Sequence, residues 1–166
     1  MGLQGSNKTG DEVDLKSIAQ EKDKPQTVNI RRMVPEDYDA SYALWSRTPG
    51  MHLHSLNNTY GGISEVILHN PDSSFVAFDE SAGIVGTAIG ATDGRKGYIY
   101  HLAVDEHFRG HGIGTRLVAR IRDVLQAKGI EKIGVFIVND NIQGQQFWGA
   151  QGWNPRSDVT YWDIDL

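Results

Sequence analysis

The chain has 166 residues, 39% of them hydrophobic, which suits one domain with one sizeable core. A net charge of −5 and a pI near 5.6 exclude a general nucleic-acid binder, whose Lys and Arg would have to neutralise phosphates. The absence of Cys excludes disulfides, thiolate nucleophiles and Cys-based zinc sites.

Residues 1–26 are polar and charged, and read as a tail preceding a domain over residues 27–166. A short helix over Val13–Glu21 is expected in that tail, too short to be stable alone. Met1-Gly2-Leu3-Gln4-Gly5-Ser6 satisfies the loose N-myristoylation pattern, taken here as incidental. The tail has no signal-peptide apolar stretch, and no run is apolar enough for a membrane helix. No membrane association and a cytoplasmic location are therefore expected.

From Thr27 the texture becomes that of a folded domain. Val28-Asn29-Ile30 alternates as a strand running to Met33. Pro35 suits a first helical turn, and Glu36 and Asp37 suit its dipole, so a helix runs from there to about Arg47. Thr48–Tyr60 reads as a loop and Ile63–His69 as a second helix. Strands Ser74–Phe78 and Ile84–Ala91 flank a turn through Asp79 to Gly83, and Asp93-Gly94 turns into a third strand, Gly97–Val104.

In the second half, Ile113, Leu117, Val118, Ile121 and Leu125 form one helical stripe, with Arg116, Arg120 and Asp123 mostly away from it. Lys128 and Gly129 close that helix: a cation in the last turn, then the residue suited to left-handed geometry. Ile133–Val138 reads as a buried strand. Asn139-Asp140-Asn141 offers N-caps for a helix through Phe147 and Trp148 to Gly152, and Thr160–Leu166 reads as a terminal strand. The order β-α-α-β-β-β-α-β-α-β implies an α/β class, with one mixed sheet and helices on both faces.

The strand ending at Val104 leads, after a short connection, into Arg109-Gly110-His111-Gly112-Ile113-Gly114 at a helix start. Glycines let a backbone approach a ligand closely, and successive N–H groups can point into one concavity. A helix N-terminus adds partial positive charge, so a pyrophosphate is the natural guest, and Arg109 could add a charge-assisted contact. A dinucleotide-binding turn needs a third glycine where Thr115 or Leu117 stands, so that reading fails.

This segment resembles the GNAT superfamily of N-acetyltransferases, whose cofactor motif is [RQ]-x-x-G-x-[GA]. The similarity runs from Leu102-Ala103-Val104 through Arg109–Gly114 and the helix Thr115–Lys128. It resumes at Asn141 and at Trp148-Gly149-Ala150-Gln151-Gly152-Trp153, with Trp148 where the family usually has Tyr or Phe.

The resemblance implies a central, mostly antiparallel, twisted sheet with splayed strands. It implies acetyl-CoA as co-substrate and a primary amine of a small molecule or peptide as acceptor. Leu102, Ala103 and Val104 would face the pantetheine arm and thioester. The N–H groups of Arg109, Gly110, His111, Gly112, Ile113, Gly114 and Thr115 would hold the pyrophosphate. Asn141 would contact the arm, and Phe147 and Trp148 would wall the cofactor, though core packing is the readier role for Phe147 and Trp153. Asn141 can serve as an N-cap at the same time. A homodimer is compatible with the resemblance.

Departures from the family pattern bear on catalysis. An indole at Trp148 cannot supply a proton at neutral pH, and Tyr98 and Tyr100 stand where some relatives have a Glu base. Tyr98 and Tyr100 are the candidate catalytic residues, relaying a proton through water. His101 alternates to the opposite face unless a bulge rotates it, and receives no role. Missing acid–base groups cost roughly 10²–10⁴-fold, less than positioning can supply, so activity should survive. The alternative is a non-catalytic acyl-CoA-binding or sensor module. His52 and His54, two residues apart without a nearby carboxylate, make a poor metal site, and the loop Pro49–His54 is expected to line the acceptor pocket.

Overall fold

The computed structural model describes residues 27–54 and 57–166. The tail 1–26, its expected helix and the myristoylation pattern lie outside the described residues. Five strands form one sheet in the order β1-β2-β3-β4-β5: β1 (Asn29–Arg32), β2 (Phe75–Asp79), β3 (Gly83–Thr92), β4 (Gly97–Val104) and β5 (Ile133–Val135). Neighbours from β1 to β4 run antiparallel, while β5 runs parallel to β4. Helices α1 (Tyr38–Ser46) and α2 (Tyr60–His69) pack on one face, where Leu44, Trp45, Ile63 and Ile67 meet Val76 and Ile89. The other face takes α3 (Ile113–Ala127) and Trp148 of α4 (Ile142–Ala150).

The stripe on α3 is what seats it. Ile113, Leu117, Val118, Ile121 and Leu125 are all at most 2% exposed, and each such side chain contributes roughly 1.5–3 kcal/mol by leaving water. The end of α3 is a Schellman cap: Gly129 N–H donates to the Gln126 carbonyl (2.9 Å) and Ile130 N–H to the Leu125 carbonyl (3.0 Å). Gly129 has φ +79° with open space around a would-be Cβ, so its backbone angle alone demands glycine. Ile130 then buries beside Leu125, completing the apolar half of the cap.

Two features of β4 position the site. The first is a bulge. Tyr100 pairs with Ile89 and Ala103 with Thr87, so His101 and Leu102 together oppose Ala88 alone. His101 takes φ 49°. The extra residue inverts the alternation: Ile99, Leu102 and Val104 pack toward α3, while Tyr100 and Ala103 pack toward α1 and α2. A hydrogen-bond chain fixes the bulge. Trp45 Nε1–H donates to Thr87 Oγ1 (2.8 Å), whose hydroxyl donates to the His101 carbonyl (2.8 Å). The bulge is the condition under which His101 turns toward α1, and its ring packs tilted against Trp45 at 4.4 Å between centroids.

The second feature is a splay. β5 pairs with β4 only from Gly97 to Ile99, and among the described residues no strand continues along the rest of β4 on that side. The expected strand Ile133–Val138 is therefore three residues long, and half-buried instead of buried. The expected terminal strand Thr160–Leu166 does not form: these residues are unpaired and exposed, with Trp162 87% exposed and Ile164 84%. An alternating pattern makes a strand only where an edge is in reach, and this segment sets the Tyr161 ring against Phe136, at the open side of the sheet (5.1 Å), without pairing its backbone there.

Candidate active site

The splay opens a cavity of about 410 Å³ between the far half of β4, the start of α3 and the start of α4. Every residue expected to hold a cofactor lines it except His111, which is exposed and turns its Nδ1 toward the Phe108 carbonyl (3.4 Å). Thr48, Pro49, Phe108, Gln143 and Gly144 line it as well and were not anticipated. Pro49-Gly50 was the available signal for the first two. The turn at Gly50 (φ +78°) brings the backbone so close to Asn141 that a Cβ there would lie 2.7 Å from Nδ2. An ion pair, Arg47 Nη2 to Asp105 Oδ2 (2.9 Å), ties the end of α1 to the turn after β4 and holds this loop over the cavity.

The glycine loop shows why the sequence is built as it is. Gly110 and Gly112 have φ +82° and +72°, with nothing within 4 Å of a would-be Cβ at either. Gly112 is the N-cap of α3 and has no side chain to cap it. The first-turn N–H groups of a helix have no intrahelical acceptors, so those of α3 are open to a ligand. Gly114 is needed for a different reason: a Cβ there would come within 3.2 Å of the Phe147 ring. Arg109 turns inward, its Nε–H donating to the Val104 carbonyl (2.9 Å), which pins the loop to the end of β4. Across the cavity, Asn141 caps α4 by accepting from Gly144 N–H (2.8 Å), leaving its amide N–H groups near Gly50. Trp148 is 8% exposed and packs its indole on Trp153 at 4.6 Å, so it is core and cavity wall together. A pyrophosphate-bearing ligand fits these residues: positive helix end, open glycine backbone, no carboxylate among the lining groups.

A second cavity of about 500 Å³ lies on the other face, between α2, β3 and the bulge in β4. Tyr100 and His101 line it; neither Tyr98 nor Tyr100 lines the first cavity. Tyr98 and Tyr100 stack at 6.0 Å, and Tyr98 also lies parallel to Phe136 at 5.9 Å. Burial, then the neighbouring Tyr98 and Tyr161 phenols, pushes the Tyr100 hydroxyl above its ordinary range. Burial alone pushes the His101 imidazole down to about 4. Residues Pro49–His54 do not line this cavity; Asn57 and Asn58, later in the same connection, do. His52 and His54 stack on each other at 5.8 Å. Among the described residues no group of three or more His, Asp or Glu side chains is placed to hold a metal.

A model of the acetyltransferase (GNAT) family matches residues 33–153. The chain belongs to the GNAT acetyltransferase family. The match takes in the glycine loop, α3, Asn141 and α4. An acetyltransferase of Pectobacterium atrosepticum is 34% identical over 114 residues, covering 69% of this chain and 79% of that one. An aminoglycoside N-acetyltransferase solved with CoA superposes with TM-score 0.68 at 17% identity, over 87% of this chain and 99% of that chain. An acetyltransferase from Clostridium acetobutylicum solved with acetyl-CoA gives 0.64 at 20%, over 82% and 96%. The five-stranded splayed sheet is thus the GNAT fold, and this GNAT chain is an acyltransferase. Among the described residues no helix is long and apolar enough to cross a membrane.

Proposed function

We propose that the protein transfers the acetyl group of acetyl-CoA to a primary amine of a small molecule or peptide. The observation that carries this reading is the cradle formed by Gly110, Gly112 and the uncapped start of α3, facing Asn141 across a cavity opened by the splay. Acetyl-CoA would supply an acyl group activated as a thioester. The loop N–H groups would hold its pyrophosphate, and the free side of β4 beyond Ile99 would align the arm as an added strand does, by backbone hydrogen bonds. The cavity on the α2 side would admit the acceptor, with the bulge at His101 between the two sites. The amine nitrogen bonds to the thioester carbon, the carbon–sulfur bond breaks, and the proton lost by nitrogen is balanced by one gained at sulfur.

Tyr100, which lines the second cavity, is proposed to relay that proton through water, and Tyr98, stacked on it, lines neither cavity and would act only through Tyr100. Because the Tyr100 phenol is held in its neutral form, it can donate but does not store charge. Positioning is left as the main source of rate, with effective molarities of about 10⁵–10⁸ M available to well-held reactants. The cytoplasm is the location we propose for the enzyme. The test is a thermal shift with acetyl-CoA, followed by thiol release with an amine panel. Stabilisation by acetyl-CoA and amine-dependent thiol release are expected. Absence of the shift would overturn the donor assignment, and binding without transfer to any amine would favour a sensor.

A further inference from the structure

The second cavity contains two buried polar atoms without a hydrogen-bond partner among the described residues: Asn58 Oδ1 and His101 Nδ1. Asn58 is 8% exposed. Its amide orientation is fixed, because Nδ2 donates to the Leu53 carbonyl and the flipped amide would set oxygen against oxygen. What remains unmet is therefore an acceptor. An orphaned buried polar group costs about 1–3 kcal/mol, a cost tolerated where a ligand meets the group.

The His101 ring is held by the bulge and by Trp45 and cannot swing away without losing that ring contact. With one ring nitrogen enclosed and unpartnered, a second N–H would add another orphan, so the ring stays neutral and one nitrogen keeps a lone pair. At the rim stands the Glu65 carboxylate, 69% exposed, with His69 Nδ1 3.4 Å away. No Lys or Arg lines the cavity. The lining leaves the Asn58 Oδ1 acceptor unmet, places a carboxylate at the rim, and offers no Lys or Arg to meet either.

We infer that the acceptor is a donor-rich cation with a second nitrogen besides the one acylated, of the chemical class of an aliphatic diamine. Its non-reacting nitrogen is held by Asn58 Oδ1 and the Glu65 carboxylate, and the amine to be acylated lies beside His101. The neutral imidazole accepts a hydrogen bond from that amine without competing with it as a cation. In the transfer the amine nitrogen gains the acyl carbon and loses one proton to solvent, and solvent returns one proton to the departing sulfur.

This inference rests on the second cavity being the acceptor site. The experiment uses the full chain with 1,4-diaminobutane and butylamine, which share a carbon skeleton and differ in the second nitrogen. Thiol release from acetyl-CoA should favour 1,4-diaminobutane in kcat/KM by about tenfold, the size of one hydrogen bond to a charged group. Glu65→Gln, at an exposed position, should bring the ratio of the two amines toward one. Asn58→Leu should do the same if it folds, and His101→Phe should lower kcat/KM for both amines. Equal use of the two amines by the wild type, or an unchanged ratio in Glu65→Gln, would overturn the inference and leave the donor assignment standing. Calorimetric titration with 1,4-diaminobutane alone separates the readings. Diamine binding weakened by Glu65→Gln supports this inference even where acetyl-CoA fails to bind.

Discussion

At the residue scale the two aromatic-rich positions His101 and Trp148 carry the most consequence. The folded-state pKa of His101, about 4, lies below its ordinary 6.5. A base whose folded pKa is depressed contributes stability that is full above the unfolded value and is lost as pH falls toward the folded one. Between about pH 6.5 and pH 4 the unfolded chain binds a proton the folded chain refuses, which removes about 3 kcal/mol. Urea unfolding of the wild type at about pH 7 and pH 4.5, beside His101→Gln, measures it. The wild type should lose more stability than the variant, and equal losses would mean the ring is wetter than its packing indicates. Trp148 replaces a residue that could have donated a proton, but its burial against Trp153 sets a second constraint. Trp148→Tyr and Trp148→Phe should each cost about 1–3 kcal/mol, a fraction of a full aromatic deletion. With positioning dominant, Trp148→Phe should keep most of its turnover under conditions where it remains folded. Trp148→Tyr can gain at most roughly 10²–10⁴-fold, and most below about pH 8, where protonating the departing thiolate is most favourable.

At the element scale, the junction of β4 and α3 is where fold and function meet. Gly112→Val places a β-branched residue at φ +72° with no protein atom in its way. The strain costs about 1–3 kcal/mol, and the branches enter the cavity where the phosphates are proposed to sit. Acetyl-CoA affinity should fall by about tenfold or more in calorimetry while circular dichroism keeps its helical signal. A folded variant with unchanged affinity would remove the cradle from the proposal. At the other end of α3, Lys128 Nζ reaches Asp72 Oδ1 at 2.5 Å, and this contact first of all holds the Asp72 carboxyl below its ordinary range. Its contribution is full above the ordinary carboxylate pKa and is lost as pH falls through the depressed value. Both groups are about one-third exposed, so Lys128→Met should cost no more than about 1 kcal/mol, visible as a small drop in Tm that vanishes in acid. The stripe of α3 and the bounds of β4 were legible because burial imposes a period of 3.6 or 2 on the residues themselves. The bulge was not, because it depends on Ala88 of β3, whose register no local pattern in β4 encodes. The start of α2 at Tyr60 lies three residues before the expected start at Ile63, because Gly61-Gly62 carries no side chain to extend an apolar period. Thr59 caps that helix through the Gly62 N–H (3.2 Å), and Gly62 is small because a Cβ would strike the Asn57 carbonyl. Of the two sites, the glycine loop was readable as a contiguous motif. The second cavity was not, since Asn58, Glu65 and His101 come together only through the packing of α2 on the bulged strand.

At the scale of the whole molecule, the question is which residues belong to the cooperative unit. The two cores, one on each face, draw on every strand from β1 to β4 and on all four helices except the exposed side of α4. The family match ends at residue 153, at Trp153, whose ring closes the wall behind Trp148. Beyond it, among the described residues, the chain makes a local ion pair, Arg156 to Asp158 at 2.6 Å, and sets the Tyr161 ring against Phe136 and its phenol near that of Tyr100. The ion pair lies between residues two apart and closes no loop between elements. Val159, Trp162, Ile164 and Leu166 are all more than half exposed, so they contribute almost no buried apolar area. Stability gained by burial has therefore been collected before residue 157. A chain lacking residues 157–166 should unfold cooperatively, with a Tm within about 4 °C of the full chain, corresponding to no more than about 1 kcal/mol in a domain of this size. Scanning calorimetry of the two chains at several protein concentrations checks this. A much larger drop that is independent of concentration would show that the segment docks on its own sheet. A drop that appears only for the concentrated full chain would show that the segment is held by a second molecule, because stabilisation by association follows mass action and stabilisation within one chain does not.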